Sequence, residues 1–444
     1  MPISLSLRSF LVCGCLLLSR GLGVGQSVNP DGGEWPVVGP VLGDQLFASG
    51  AVNDSGGYLV WSDNSVIKLG SRIRVQRLAS NFAPVGAPFT ATSAWKSKTA
   101  GDQNDPDIGV FADGRGVVAW SGGKNGSQQI YARFLRADGV PLRSDIRVSG
   151  GKTQKSDPAV AVLADDSAVV VWSSHGQDGS LQGIYARRYS ANGAPLGKEF
   201  RVNEWTEGNQ RSPAVAALAG QGFVVVWVSE LQRDEVSVDI YGRVFDSAGS
   251  GGPELLINSA TQKLCANPAV AGSKAGGFAV AWSQREISRH SAPSDPNDPT
   301  GFEDPIAKPW ATRFESTQKN ADGWDVYARF YDLETIGSDT IRINAHTFGD
   351  QYGPRLANNG NGYFIVWTSL EQDGDQREGV FGKPCSLTGA LPGPDVHANT
   401  TTISRQYLPA VIANGQDRFL VVWSGILPTF GVDLQAQVYS FSSN

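Results

Sequence analysis

Acidic residues in short turns are the side chains of this sequence that are best suited to chemistry. Gln177-Asp178-Gly179 forms one such turn, and Gln372-Asp373-Gly374-Asp375-Gln376 forms a second, longer one. Carboxylates beside a glycine that permits a sharp turn are typical of calcium sites, so Asp373 and Asp375 are candidate metal ligands. Asp-Gly is also a common turn sequence, and the run lacks the distal glutamate of an EF-hand. Calcium is therefore a hypothesis, and no other cofactor is expected.

The sequence contains none of the common catalytic motifs. It has no HExxH element, no GxSxG nucleophile elbow and no P-loop, and its histidines stand 115, 56 and 51 residues apart, without ligand spacing. Glycoside hydrolysis needs two carboxylates about 5 to 10 Å apart. The acids from which such a pair could be assembled are Asp102, Asp178, Asp350 and Asp373. An enzyme therefore remains an alternative, and no catalytic residue is assigned.

A hydrophobic run that ends in tryptophan recurs along the chain and predicts the elements that position these acids. Successive tryptophans lie 52 to 59 residues apart, except for one interval of 85. The members of the series are Trp61, Trp120, Trp172, Trp227, Trp282, Trp367 and Trp423. A repeat of this period with several short strands in each unit is typical of a β-propeller.

The third repeat shows the predicted unit most clearly. Its apolar runs, alternating segments and turns indicate four antiparallel strands, A to D, from the axis outward. These are Pro158–Val162, Ala168–Trp172, Ile184–Ser190 and Phe200–Asn203. We therefore expect an all-β fold, a seven-bladed β-propeller of four-stranded antiparallel blades, over residues 35–444.

Amide side chains recur at the junctions between repeats. An asparagine often ends strand D, and a glutamine precedes strand A at Gln45, Gln103, Gln154, Gln210, Gln262, Gln351 and Gln406. A ring of ligands would give this pattern, but amides that satisfy backbone groups at loop junctions give it equally. The structural interpretation is favoured.

The ends of the repeat series predict how the ring closes. The last repeat lacks strand D, whereas Trp35–Val38 precedes Gly43-Asp44-Gln45 as a strand D precedes the other repeats. The N-terminal strand should therefore pair with strand C of the last blade, because a closed ring leaves no exposed sheet edge. Residues 26–34 are expected to be a short linker.

The long interval after Trp282 marks an insertion of about residues 286–323 in the fifth blade. Its prolines exclude a regular helix, and long irregular loops in compact folds are commonly functional. Because strands alternate in direction, this B–C loop shares one face of the disc with the D–A loops, and loop clusters of this kind carry ligands. The ligand-face candidates are Asp102, His175, Asp178, His290, Asp304, Trp310, His346 and Asp350.

The first 25 residues are expected to be a signal peptide, with Arg8 before the short apolar run Ser9–Ser19. The net charge of −6 becomes −8 without them, because Arg8 and Arg20 are removed and no acid is. An acidic chain without a basic run does not favour nucleic acid as a partner, and no later segment is apolar enough for membrane insertion. Whether Cys265 and Cys385 form a disulfide stays open.

The third repeat also carries a family resemblance. From Pro158 through Trp172, Gln177-Asp178-Gly179 and Gly183–Arg187 to Phe200–Asn203, it resembles a repeat of bacterial secreted and cell-surface proteins. The resemblance extends over residues 35–444. It implies propeller blades and an extracellular setting, and it brings no activity or catalytic residue to carry over.

The leading hypothesis is a secreted binding or interaction scaffold that recognises a protein or carbohydrate on the face with the B–C and D–A loops. The alternative is a polysaccharide-active lyase or glycoside hydrolase that uses acidic residues at the channel mouth. We expect a monomer that is secreted, periplasmic or at the cell surface.

Overall fold

The computed structural model describes residues 26–66, 70–92, 101–220, 222–259, 263–286, 323–332, 334–374, 377–427 and 431–443. The predicted signal peptide lies outside these residues, as does most of the predicted insertion. Four predicted site residues are therefore outside the described part of the chain: His290, Asp304, Trp310 and Asp375.

The described residues form strands, turns and loops and no helix, so the all-β prediction is confirmed. It follows that this part of the chain has no helix that could span a membrane. Two short strands come first, β1 (Gln26–Pro30) and β2 (Trp35–Pro36). The segment expected to be a linker thus begins with a strand.

The remaining strands follow in consecutive antiparallel units, numbered here from the first. The first unit has β3 (Gly43–Asn53), β4 (Gly56–Asp63), β5 (Arg72–Leu78) and β6 (Pro84–Thr90). The second has β7 (Asp102–Val110), β8 (Gly116–Gly123), β9 (Gln129–Leu135) and β10 (Ile146–Arg147). The third has β11 (Lys155–Val162), β12 (Ser167–His175), β13 (Gln182–Ser190) and β14 (Phe200–Arg201). The fourth has β15 (Gln210–Ala217), β16 (Phe223–Glu230), β17 (Val238–Phe245) and β18 (Gly251–Leu256).

The fifth unit has β19 (Lys263–Gly272), β20 (Phe278–Glu286), β21 (Asp325–Tyr331) and β22 (Ile341–Arg342). The sixth has β23 (Gln351–Asn358), β24 (Tyr363–Leu370), β25 (Glu378–Cys385) and β26 (Val396–His397). The seventh has β27 (Gln406–Ala413), β28 (Arg418–Leu427) and β29 (Gly431–Ser443), and both β1 and β2 pair with β29. The predicted pairing of the segment at Trp35 with the third strand of the last unit is therefore present, since Trp35 lies opposite Ala436 of β29.

The tryptophan series lies in the core between units. All of its members are at most 2% exposed, and Trp227 of the fourth unit shares a cluster with Val169 and Val171 of the third. In Trp282 the indole N–H donates to Gln284 Oε1 at 3.1 Å. In most of the others Nε1 has no partner among the described residues. The buried apolar area of the indole rings, and not a hydrogen bond of Nε1, therefore holds these tryptophans in the core.

A bulge interrupts the first strand of every unit, and in every unit but the first the bulged residue is followed by a proline. In β11 the pairing shifts between Ser156 and Ala159, and Asp157 takes a φ of 52°. The extra residue lets proline, which has no N–H, sit in the strand without loss of a ladder bond. Positive φ recurs at the same place in Phe47, Asp105, Ser212, Asn267, Gly353 and Leu408. Because it recurs, this backbone strain belongs to the fold and does not mark one functional site.

Candidate functional site

In three units the aspartate of a Gly-Asp-Gln triplet links the unit to a neighbouring unit. In each case a carboxylate oxygen accepts a hydrogen bond from a backbone N–H of the neighbouring unit. That N–H lies just before or at the start of the neighbouring unit's third strand. The pairs are Ser71 to Asp102 at 2.9 Å, Trp324 to Asp350 at 3.0 Å and Val432 to Asp44 at 3.3 Å. Two predicted ligand-face residues, Asp102 and Asp350, therefore hold neighbouring units together.

A cleft of about 300 Å³ opens between the first and second units, on the face with the B–C and D–A loops. It lies between β3 and β7, and Asp102 at its edge is exposed. Its polar lining consists of Asp44, Ser62, Asn64, Ser71, Asp102 and Asn104, beside Leu46, Phe47 and Gly70. The cleft is the candidate functional site, because a concave site with convergent polar groups is the usual setting for a small ligand.

Hydrogen bonds fix the polar groups of the cleft. Asn64 accepts from the backbone N–H of Asp44 at 2.5 Å and donates to Asp44 Oδ2 at 3.1 Å. Burial lowers the pKa of the Arg72 guanidinium beneath, and the nearby Asp102 and Asp63 act in the opposite direction. The cleft thus presents preorganised acceptors and amide donors to a ligand.

Sequence reasoning found only one residue of this cleft, Asp102. Asp44 could have been found, because Gly43-Asp44-Gln45 repeats the triplet Gly101-Asp102-Gln103. Asn64 and Asn104 had no such signal, since they meet only through the packing of β3 and β4 on β7.

The aspartates of the two Gln-Asp-Gly turns fill a space at the start of the third strand, named here the C-strand slot. In the third unit a Cβ on Gly183 would overlap Asp178 Oδ2, and in the sixth a Cβ on Gly379 would lie 2.7 Å from Asp373 Oδ2. Three other units carry aspartate at the strand position itself, as Asp239, Asp325 and Asp433. A turn aspartate over glycine therefore replaces a strand aspartate.

The strand aspartates of the slot bind the asparagine that ends strand D. Asn258 donates to Asp239 Oδ1 at 2.9 Å, and Asn344 donates to Asp325 Oδ1 at 2.6 Å. Burial raises the pKa of Asp325 and of Asp433. This geometry gives Asp178 and Asp373 a packing role inside their units.

The recurring amides have the structural role that was favoured for them. Asn203 Oδ1 accepts from the backbone N–H of Ile184 at 2.7 Å, and its Nδ2 lies 3.3 Å from Gln210 Oε1. Gln154 precedes β11 as predicted, but it is exposed, and Lys155 takes the buried position opposite Ser174. Gln262 is outside the described residues, and Cys265 stands opposite Gln284.

The described histidines among the candidates do not share a site. His175 ends β12 and is exposed. His346 lies in the loop before the sixth unit, half-buried against Phe348 with ring centroids 6.4 Å apart. Its backbone N–H contacts Asp395 Oδ2 at 3.4 Å. Within the described ranges no group of three histidine, cysteine or acidic side chains could hold a metal ion.

Cys265 and Cys385 are both free and buried, which answers the question that the sequence left open. They lie in different units, β19 and β25. Burial raises the pKa of both thiols, so they stay protonated and unreactive.

An acid pair that sequence reasoning missed lies in the bulges of β7 and β11. Burial, with the charge of Asp157 as a second cause, raises the pKa of Asp105 to about 7. Ser121 donates to Asp105 Oδ2 at 3.3 Å, and Ser173 donates to Asp157 Oδ2 at 3.1 Å. Burial also raises the pKa of Asp107, which accepts from the backbone N–H of Val160 at 2.7 Å. The signal was the acid before proline, where other repeats have neutral residues.

Asp105→Asn is expected to stabilise the protein at pH 8 by about 2 kcal/mol. The folded state holds a proton on Asp105 up to about pH 7, whereas the unfolded state loses it near pH 4. Stability is therefore lost as pH rises between these values, and the amide removes this loss. Denaturant titrations at pH 5 and pH 8 measure it, with the exposed turn residue Asp166→Asn as control. Equal pH dependence in both variants would contradict the assignment.

This protein resembles known proteins in its fold. No protein-family model matches the sequence, and no curated protein does. The structure is similar to a polysaccharide lyase, Uly1, at 8% identity and a TM-score of 0.52, over 91% of this chain and 91% of that one. It is also similar to the WD40 domain of Toxoplasma gondii coronin, at 9% identity and a TM-score of 0.52, over 94% and 87%. The β-propeller domain of the Trilobed protease from Pyrococcus furiosus matches at 8% identity and a TM-score of 0.47, over 91% and 94%.

The similarity to the WD40 domain confirms the β-propeller class of the predicted fold. The structural neighbours include a lyase and a WD40 domain, so one fold hosts different activities.

Proposed function

We propose that this protein is a binding scaffold whose cleft between the first and second units holds a carbohydrate. The supporting observation is the lining of the cleft, in which carboxylates and amides from two units surround about 300 Å³ beside Phe47. Sugar hydroxyls both donate and accept hydrogen bonds, so a mixture of carboxylate acceptors and amide groups suits them. The volume is at the lower end of small-ligand sites, which fits one sugar ring.

The surface around the cleft supports a larger ligand than that ring alone. Leu42 and Val66, which lie two positions along the chain from Asp44 and Asn64 of the cleft, are 63% and 55% exposed. Exposed apolar side chains next to a polar cleft are typical of a recognition surface. The bound ring would therefore be part of a longer glycan or a glycosylated protein.

The finer architecture proposed here is a closed ring of seven blades. Its main support is that the third strand of the seventh unit pairs with the first strand of the first unit. The fourth and fifth units are joined by the same kind of strand pairing. Gly431 and Val432 of β29 pair in parallel with Gly43 and Asp44 of β3, and Val238 of β17 pairs in the same way with Leu264 of β19. Ile412 and Val422 also share a core cluster with Trp61.

Glu34 supports the proposal that the N-terminal segment supplies the missing outer strand. In other units an acid on strand D accepts hydrogen bonds from the backbone of the preceding D–A loop, as Glu199 does from Gly150 at 2.8 Å. Asp395 accepts from Ala345 at 2.9 Å. Glu34, just before β2, accepts from Thr400 at 2.8 Å in the same relation. The seventh blade would thus be completed by residues from the other end of the chain.

A glycan array and a polysaccharide panel, scored for both binding and cleavage, test the proposed function. With any glycan that binds, Asp102→Ala is expected to weaken affinity at least tenfold, about 1.4 kcal/mol. Asp350→Ala is the matched control, because it removes the same inter-unit hydrogen bond outside the cleft. Equal loss in both variants, or no binding by any glycan, would overturn the proposal.

A second candidate function, polysaccharide cleavage, is favoured by one observation. The cleft lining holds two carboxylates from different units, Asp44 and Asp102, and glycoside hydrolysis uses a pair of carboxylates. Depolymerisation of a substrate by the wild type that is lost in both Asp44→Asn and Asp102→Asn would establish this function and replace the first.

The setting of the protein is proposed on the sequence alone. The predicted signal peptide over residues 1–25 supports export, to the medium, the periplasm or the cell surface. The net negative charge supports a protein or carbohydrate partner over nucleic acid, and we propose a monomer. Calcium at Asp373 and Asp375 stays a hypothesis that binding assays with and without EDTA would test.

A further inference from the structure

The opposite face of the protein has a second concave site, named here the 4–5 groove. It lies between the fourth and fifth units and has a volume of about 640 Å³. Its walls are the A–B and C–D turns of both units, so it is remote from the B–C and D–A loops. Nothing in the proposed function uses this surface.

The fifth unit differs from several others in the C–D turn that lines the groove. In the second, third and sixth units a glycine of this turn packs closely on the preceding unit. A Cβ there would lie 2.8 Å from Arg77 at Gly139, 2.7 Å from Phe134 at Gly193 and 2.7 Å from Phe330 at Gly389. In the fifth unit Thr335 takes this position, with a φ of 64°.

The backbone hydrogen bond of Thr335 shows that it stands at the same turn position as those glycines. Its backbone N–H donates to Asp332 O at 3.2 Å, as that of Gly193 donates to Ser190 O at 2.8 Å. A β-branched residue at positive φ is strained. Where the other turns pack a glycine against Arg77, Phe134 or Phe330, the fifth-unit turn therefore presents a threonine at the groove.

The floor of the groove is apolar. It includes Val244 and Leu255, which are half-buried, and the rings of Phe245 and Phe278. Phe245 stacks on Phe223 with centroids 4.9 Å apart, and Phe278 stacks on Tyr331 at 4.5 Å. These stacked rings make the floor rigid, so the groove is preformed for apolar side chains.

The rim of the groove is acidic. Asp246, Asp332 and Glu334 line it and are exposed, and its described lining contains no lysine or arginine. Asp246 Oδ1 accepts from two backbone N–H groups of its own turn, at 2.9 Å from Ala248 and 2.8 Å from Ser250. These bonds fix the carboxylate at the rim, and its charge acts on whatever enters the groove.

We propose that the 4–5 groove binds an extended peptide segment in which apolar side chains are flanked by lysine or arginine. The apolar floor accepts the central side chains, and the acidic rim pairs with the flanking cations. Complementary charge at a rim speeds association and selects the partner, while the buried apolar contacts supply most of the affinity. The fifth-unit turn is thereby a determinant of partner choice.

The test uses two labelled probe peptides, KLFLK and its acidic counterpart ELFLE, and fluorescence polarisation against the full chain. The KLFLK probe is expected to bind at least tenfold more tightly at 50 mM than at 500 mM NaCl, and at least tenfold more tightly than ELFLE. Equal affinity of the two probes, or no binding of KLFLK at about 1 mM, overturns the proposal.

Variants separate the groove from the rest of the molecule. Thr335→Gly is expected to let the turn close on Val244 and to weaken KLFLK binding tenfold or more, with the melting temperature kept or raised. Asp332→Asn with Glu334→Gln should remove most of the salt dependence. Asp102→Ala, in the cleft, should leave peptide binding unchanged, so failure of either proposal is visible without the other. Sedimentation shows whether a second copy occupies the groove, and self-association that KLFLK displaces would overturn the peptide assignment.

Discussion

Deletion of residues 26–36 is expected to destabilise the whole protein by about 5 kcal/mol or more, and not merely to remove a tail. The deletion removes β1 and β2, which pair with β29, and it removes Val28 from a cluster with Phe419, Tyr439 and Phe441. It leaves β29 as an open edge with unpaired backbone groups. Thermal and denaturant unfolding of the deletion variant measure the effect.

Glu34 allows a finer form of this test. Glu34→Ala removes the acceptor of Thr400 and Thr401, and Glu199→Ala removes the acceptor of Gly150. If Glu34 serves the last unit as Glu199 serves the third, both substitutions should cost about 1 to 2 kcal/mol. An unchanged unfolding midpoint in the deletion variant would exclude the closed ring.

Gly183→Asp alone is expected to cost about 3 kcal/mol, and Asp178→Ala should restore most of it. The single change puts a second carboxylate into a C-strand slot that Asp178 already fills. In the double variant the strand carboxylate can accept from Asn203, as Asp239 accepts from Asn258. Asp178→Ala alone should cost about 1 kcal/mol, so the double-mutant cycle gives a coupling of about 3 kcal/mol.

Gly197 supplies the control for this cycle. A Cβ at Gly197 meets no heavy atom within 4 Å, and its φ is not positive. Gly197→Asp combined with Asp178→Ala should therefore be additive. Additive behaviour in the Gly183 cycle as well would show that Asp178 does not fill the slot, and the Gln-Asp-Gly turns would again be candidates for ligand binding.

The fold was predictable because it depends on residues that each unit must repeat. Every unit buries a tryptophan within its second strand, so the burial requirement appears as a period in the sequence. The bulge before proline recurs for the same reason. Single-residue register was less secure. Lys155 holds its own place by donating to Thr153 O at 2.9 Å, which no glutamine pattern would indicate.

The candidate site was only partly predictable, because it depends on what differs between units. Asp102 was found by its loop position, whereas Asn64 and Asn104 become neighbours only when two units pack together. The raised pKa of Asp105 comes from its burial in the folded chain and, second, from the charge of Asp157 in the next unit, about one repeat away along the chain. Thr335 also gave no signal, since a threonine at a turn is conspicuous only against the glycines of the other units. The predicted residues His290, Asp304, Trp310 and Asp375 lie outside the described part of the chain and stay untested.

The contacts between units have a consequence for how the molecule can fail. The tryptophan of each unit packs against a neighbouring unit, as Trp227 packs against the third unit. Backbone N–H groups of the connecting loops donate to an acid of a neighbouring unit, as Gly150 donates to Glu199. We therefore expect no unit to be a stable fragment by itself. Unfolding should be one cooperative event, whereas a linear array of repeats can lose its repeats stepwise. Proteolysis would then yield either intact protein or small peptides, with no long-lived fragments of several units.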